Sequence, residues 1–449
     1  MSKQSLGTIP LSRRAFLRFA AGSAGLAALA ACAPVQPNQS GGGASAPAAA
    51  ATTLKFLTQG GDENALARYK PLIEQFQKDN PTITVNATYE PGGAIEIQQK
   101  LLTLIAAGDA PDAYWAHSYT NSGQAKRKIQ LDLTELLAAD TSVKAEDFLS
   151  AAWRDFNIDG KQIGVPRETT STVLIYNKEL FDKNNVPVPT DKWTWEDFTN
   201  AAKTLTSGEG TTKIFGTADW NLNRNTWVRM WEKGGDVLNA DHTKFTMNDE
   251  KNVAVVREIA DWHHGLGFHI PGEEKGGFTT ADLFTTGRIA MFPQFSVFTG
   301  FDKAKFVWDV AHMPVDADEK RTTRVASAGH SLYSGTQHKD EAWRWLKALV
   351  TEAAYWHWLD HGLRMPSLKK VATDPKLLDP TKAPAHAQIV IDAFEYGRPE
   401  PVAGDWIGVH REIQAALDSI YGIEKADPQA KLDGIADRVN ELIAKLPGA

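Results

Sequence analysis

Tryptophan occurs fourteen times in this chain of 449 residues, well above ordinary usage, and several copies stand beside hydrogen-bonding side chains. Trp115 precedes His117, Ser118 and Tyr119; Trp220 and Trp227 flank the Asn- and Arg-containing run 221–226; Trp406 follows Gly404 and Asp405; Phe295 follows Gln294. Indole faces suit the flat C–H surfaces of pyranose rings, while neighbouring amides, carboxylates and guanidinium groups can satisfy hydroxyls. The chemistry these residues suggest is capture of a sugar. Polar candidates to accompany them are Gln59, Asp62 and Glu63 around the Gly60-Gly61 pair, then Glu168, Thr170, His330 and Arg364. Trp343, Trp345, Trp356 and Trp358 lie on helical stretches and Trp193 and Trp195 at a helix start, where packing is the expected role.

Other chemistries find less support. His263, His264 and His269 cluster, and His357 with His361 has an i, i+4 spacing, but no His-Glu-x-x-His pattern or cysteine partner accompanies either set. Neither is expected to hold a metal. No nucleophile elbow, P-loop or dinucleotide fingerprint occurs. No catalytic residue and no cofactor are therefore expected. Carboxylates are plentiful, so a secreted glycan-active enzyme stays open as an alternative. So does a binder of another solute: a glycerol phosphodiester, a polyamine or a metal chelate.

The N-terminus predicts export. Ser12, Arg13, Arg14, Ala15, Phe16, Leu17 and Arg18 form a twin-arginine signature, and the apolar run Phe19 to Ala31 is too short to span a bilayer as a helix. Leu29, Ala30, Ala31 and Cys32 resemble a bacterial lipoprotein processing site, with Cys32 acylated as the first mature residue. Residues 1–31 are read as the signal peptide. Their loss removes Lys3, Arg13, Arg14 and Arg18 and no acid, carrying the net charge from −7 to −11. An acidic body of this kind disfavours nucleic acid and anionic lipid, so the lipid would hold it at the membrane, in a periplasm or at the cell surface. With one cysteine, no intrachain disulfide is possible. Residues 32–53 carry no charge and no aromatic ring and read as a flexible tether spanning roughly 25 Å.

From Leu54 onward short strands alternate with amphipathic helices. Strands are expected at Leu54 to Leu57, Ile83 to Tyr89 and Ala110 to Trp115. Helices are expected around Leu66 to Phe76 and Ile97 to Ile105. This β-α-β-α-β order predicts an α/β lobe with a largely parallel sheet. Further on, Thr172 to Tyr176 reads as a strand, and Thr194 with Asp197 predicts a capping box opening the helix Trp195 to Leu205. Helices are also expected over Asn248 to His264, Asp340 to His361, Trp406 to Tyr421 and Pro428 to Leu446.

Five segments resemble the family 1 extracellular solute-binding proteins of ABC importers, the group that contains maltose-binding protein. They are Phe76 to Val85, Ala106 to Asp112, Gly160 to Phe181 continuing to Thr194 to Phe198, Gly287 to Met291, and Gly362 to Pro366, in the family's order. The resemblance runs from about residue 54 to the end. It implies an α/β, two-lobed periplasmic-binding-protein-like fold with discontinuous lobes, a hinge, and ligand in the cleft between them. Crossings are expected near Glu168 to Thr172, near Arg321 to Ala326 and after Met365-Pro366. That gives lobe one as 54–168 and 325–372, and lobe two as 169–324 and 373–449. It further implies a monomer that passes a carbohydrate to an ABC permease and does no chemistry on it. The stretch holding Trp220 and Trp227 corresponds to lobe-two contacts of relatives; Phe295 and Trp406 stand near their stacking aromatics.

Overall fold

The computed structural model describes residues 51–60, 64–295, 297–316 and 320–445. The expected signal peptide, Cys32, most of the tether, Asp62 and Glu63 lie outside the described residues. The folded body begins at the strand Thr52–Gln59, two residues earlier than expected, because backbone pairing extends past the last apolar residue: Thr52 and Thr53 lie opposite Ile83 and Thr84.

That strand stands second from one edge of a sheet. Its order is Met365–Pro366, Val165–Ser171, Thr323–Leu332, Ala113–His117, Thr52–Gln59, Ile83–Glu90. Thr52–Gln59, Ile83–Glu90 and Ala113–His117 run parallel, with the helices Asn64–Asp79 and Ala94–Ala106 as their crossovers. Thr323–Leu332 then pairs antiparallel with Ala113–His117 and with Val165–Ser171, so the sheet is mixed rather than largely parallel. A parallel partner needs a crossover of a dozen or more residues, whereas strands returning from the other lobe can pair in either sense. The register of Thr323–Leu332 slips at Ala328 and Gly329. A Cβ on Gly329 would stand 2.2 Å from the Val165 carbonyl oxygen, so only glycine fits the bulge.

A second sheet, ordered Trp308–Ala311, Val173–Asn177, Ile289–Gln294, Phe215–Thr217, forms the centre of the other lobe. The chain crosses between sheets at Thr172 and returns between Ala311 and Thr323. The two crossings are stitched together: the Thr172 amide donates to the Arg324 carbonyl at 3.0 Å, and the Thr323 hydroxyl donates to the Thr172 carbonyl. The helices Trp406–Tyr421 and Pro428–Ala444 pack on Glu250–His264 in the second lobe, where the Phe245 amide reaches Asn440 Oδ1 at 2.8 Å. One short strand within residues 373–449, Gly397–Arg398, instead pairs with Thr323–Leu332 in the first sheet.

The capping box at Thr194 and Asp197 opens Trp195–Leu205 with the expected bounds. The single helix expected over Asp340 to His361 is two, Lys339–Ala348 and Glu352–Asp360. Thr351 breaks it, its hydroxyl accepting the Ala354 amide at 3.2 Å as the cap of a new helix.

Candidate functional site

A cavity of about 330 Å³ opens between the two sheets, within the usual range of ligand sites. The first sheet brings Gln59, Trp115, Glu168 and Thr170 to it, and Tyr119 follows from the helix Ser118–Lys126. Facing them are Phe295, just beyond the strand Ile289–Gln294, and Trp406, the first residue of Trp406–Tyr421; Arg364 adds a cation. Eight of the residues expected at the site thus line one cavity, contributed by strand ends and helix starts as an α/β crevice requires.

Two further cavities continue it. One of about 350 Å³ shares Gln59, Glu168, Phe295 and Arg364 with the first and adds Arg68, Tyr69, Arg167 and Trp358. Another of about 260 Å³ shares Tyr119, Trp406 and Ile407 and adds Gln98, Gln99 and Arg411. The three form a trough with an aromatic middle and polar ends.

Three expected site residues do not reach the trough. Trp220 is fully buried in the second lobe, its indole donating to Thr217 Oγ1 at 3.0 Å and packing edge-on against Trp195 and Trp262. Trp227 is equally buried and supports Trp406 and His410 from behind, with ring centroids 5.9 and 4.9 Å away. His330 points into the first lobe's core, where Nε2 meets the Tyr69 hydroxyl at 3.2 Å. Each corrects an expectation that adjacency to polar residues means access to the cleft. Ala328 and His330 are two apart on one strand, so plain alternation would give them the same face; the bulge at Ala328 and Gly329 falls between them and breaks it.

The histidine cluster is structural. His269 accepts the Trp220 amide on Nε2 at 3.1 Å and holds the Ile270 carbonyl on Nδ1 at 2.8 Å, which fixes a neutral ring. Burial pushes its pKa down to about 3 and depresses that of His263, stacked on it at 3.6 Å. Among the described residues, no group of three or more His, Cys, Asp or Glu is placed to hold a metal ion.

Charges at the trough come in linked sets. Arg324, on the crossing strand, pairs with Glu400; Glu400 also accepts from His410 Nε2 at 3.1 Å, and Asn223 Nδ2 donates to His410 Nδ1 at 2.9 Å. Burial would raise the Glu400 pKa, but Arg324 and His410 together carry it well below the usual carboxylate range. Glu168, likewise buried, is held down by Arg167 at 2.9 Å and by Arg364 at 3.9 Å. Arg167 reaches on to the Tyr69 hydroxyl at 2.8 Å and lies over Trp358. His117 is neutral: burial first, and Arg324 second, bring its pKa down to about 3. The indole N–H groups of Trp115 and Trp406 are buried and have no acceptor among the described residues.

Sequence reasoning missed Arg224, Arg324, Glu400 and His410, all of which line the cavity. Two carried a signal: Arg224, in the polar run between Trp220 and Trp227, and Glu400, a carboxylate between Pro399 and Pro401 shortly ahead of Trp406.

Residues 60–356 match the model of the bacterial extracellular solute-binding proteins. The chain belongs to that family. An ABC substrate-binding protein of Listeria monocytogenes, solved in complex with cycloalternan, superposes with a TM-score of 0.77 at 24% identity, over 88% of this chain and 100% of that one. The maltose-bound MalE3 of T. maritima gives 0.71 at 20% identity, over 87% and 100%. A Streptomyces antibioticus protein described as an uncharacterized lipoprotein is 27% identical over 316 residues, 66% of each chain. This solute-binding protein thus has the two-lobed α/β fold of the group, and its trough stands where the two sheets face each other. None of its described helices is long and apolar enough to cross a membrane.

Proposed function

We propose that this protein captures a carbohydrate in the trough and delivers it intact to the permease of an ABC importer. The observation that carries the reading is the trough's middle, where the half-buried rings of Tyr119 and Phe295 and the edges of Trp115 and Trp406 meet hydrogen-bonding side chains suited to a pyranose. The saccharide complexes of structurally similar proteins point the same way. Gln59, Glu168, Thr170, Phe295 and Arg364 would complete the contacts. Lobe one is assigned to 54–168 and 325–372, lobe two to 169–324 and 373–449. Closure follows from differential affinity, because only the closed form engages side chains from both lobes at once. The protein acts as a monomer and carries no catalytic residue.

Export by the twin-arginine signal and acylation of Cys32 belong to the same reading, supported by residues 12–18 and 29–32 and by the relative described as a lipoprotein. Cys32→Ser should then move the full-length protein from the membrane fraction to the soluble one. Recovery of C32S in the membrane fraction would refute the anchor. For the ligand, a thermal-shift screen against mono- and oligosaccharides, followed by tryptophan fluorescence, is the test. Chromatography of the released ligand checks that it is unchanged. If no saccharide moves the melting temperature while a polyamine or peptide does, the carbohydrate reading fails.

A further inference from the structure

The charges lining the aromatic middle of the trough do not cancel. Arg324 is matched by Glu400, and Glu168 is held chiefly by Arg167, at 2.9 Å, leaving Arg364 at 3.9 Å from the same oxygen. Arg224 makes no ion pair with any described residue. Its Nε is buried without a hydrogen-bond partner, and its guanidinium lies 5.1 Å from the centre of the Phe295 ring. Arg364 approaches that ring to 5.3 Å, so two cations converge on one aromatic side chain at the cavity wall. Arg224 also sits in the first turn of the helix Asn223–Glu232, which has no acidic residue there, while the Asn223 amide donates to Gln414 Oε1 at 3.1 Å and the Arg224 amide to Asn223 Oδ1 at 2.6 Å. All this occurs in a chain whose overall charge is −7, so the cleft's sign is not inherited from the surface.

Both arginines are half-buried, so each is only partly hydrated, and a counter-charge that arrives with the ligand relieves that cost. Planar, forked guanidinium groups match carboxylates and phosphates in particular. We infer that the captured saccharide carries an anionic substituent, a uronic-acid carboxylate or a phosphate ester, seated beside Phe295 between Arg224 and Arg364. This rests on the carbohydrate reading above and narrows it to acidic sugars. His117 adds no charge there, since burial keeps it neutral.

The test is calorimetric titration of the full chain with size-matched pairs: neutral gluco-, galacto- and manno-oligosaccharides against the corresponding uronate oligomers, with a hexose phosphate and a glycerophosphodiester as separate arms. An acidic member should bind at least about tenfold more tightly than its neutral partner, and the gap should narrow as salt is raised. The uronate and hexose phosphate arms decide which anion is recognised. Arg224→Gln should shrink the acidic-to-neutral preference about tenfold or more, with an unchanged far-ultraviolet dichroism spectrum showing that it has folded; Arg224→Lys should restore part of it. Neutral sugars binding as tightly as acidic ones would overturn the inference and leave the carbohydrate reading standing. Binding of the glycerophosphodiester alone, or of no saccharide, would remove both.

Discussion

Two groups of aromatic side chains in this molecule use the same residue type for opposite ends. In the second lobe's interior, Trp195, Trp220 and Trp262 pack face and edge on one another with Phe198, ring centres 5.1 to 5.7 Å apart. Their polar edges are answered within the chain: the Trp195 indole donates to Glu232 at 2.6 Å, Trp220 to Thr217 at 3.0 Å and, nearby, Trp231 to Asp236 at 2.9 Å. In the trough, Trp115 and Trp406 are 2% and 4% exposed, hardly more than the interior set, yet their N–H groups have no such answer among the described residues. Exposure therefore does not separate the two groups, and hydrogen-bond satisfaction does so better. Trp227 and Trp345, buried in the cores of the second and first lobes with unanswered N–H groups, show that lining a cavity must be required as well.

Substitutions can break this comparison. Trp220→Ala should be the most damaging, costing about 3–5 kcal/mol of stability through the void it leaves, read as a large fall in melting temperature without a saccharide-specific component. A Trp220→Ala protein that melts normally but loses its ligand would reverse the assignment of the two groups. Glu400→Gln should follow, at about 3 kcal/mol, because it strands Arg324 in a buried setting. The sign with pH is fixed by the depressed Glu400 pKa: its contribution is present above the ordinary glutamate range and is lost as pH falls below it. Melting curves of the wild type and E400Q should accordingly converge on acidification; a gap constant down to pH 3 would contradict the pairing.

Trp406→Ala should act on binding instead, weakening the saccharide by about 30-fold, or about 2 kcal/mol, with a smaller loss of stability than Trp220→Ala. Calorimetry and thermal melts on the same preparation give both numbers. Trp356→Phe should do least. That half-buried side chain belongs to neither group, rests on the edge of the first lobe's core and has Lys376 over its ring at 4.6 Å; phenylalanine keeps most of that contact, so a stability change of about 1 kcal/mol and an unaltered ligand affinity are expected.

What the sequence disclosed follows from the range of the forces involved. Local signals were legible: the helix Trp195–Leu205 came from its own capping pair, and the helix Trp406–Tyr421 from its apolar period. Thr351 was missed because a hydroxyl inside an apolar helical run gives no hint that it will cap rather than face solvent. At the site, Trp115 and Tyr119 could be placed because they lie in and just beyond a strand whose end must open on the crevice. Trp220 and His330 could not. Their orientation depends on His269, 49 residues on, and on the register of Thr323–Leu332, neither of which leaves a trace in the neighbouring residues. The Arg324, Glu400, His410 and Asn223 set joins residues up to 187 apart in sequence and exists only once the chain has folded.

The stitch between Thr172 and the Thr323-Arg324 step has a practical meaning. Two neighbouring spans bonded side by side behave like the spine of a book, so the covers swing chiefly about one line. A donor and acceptor dye, one on each outer edge, would convert occupancy into a single distance, and the molecule could serve as a ratiometric gauge for whatever it carries.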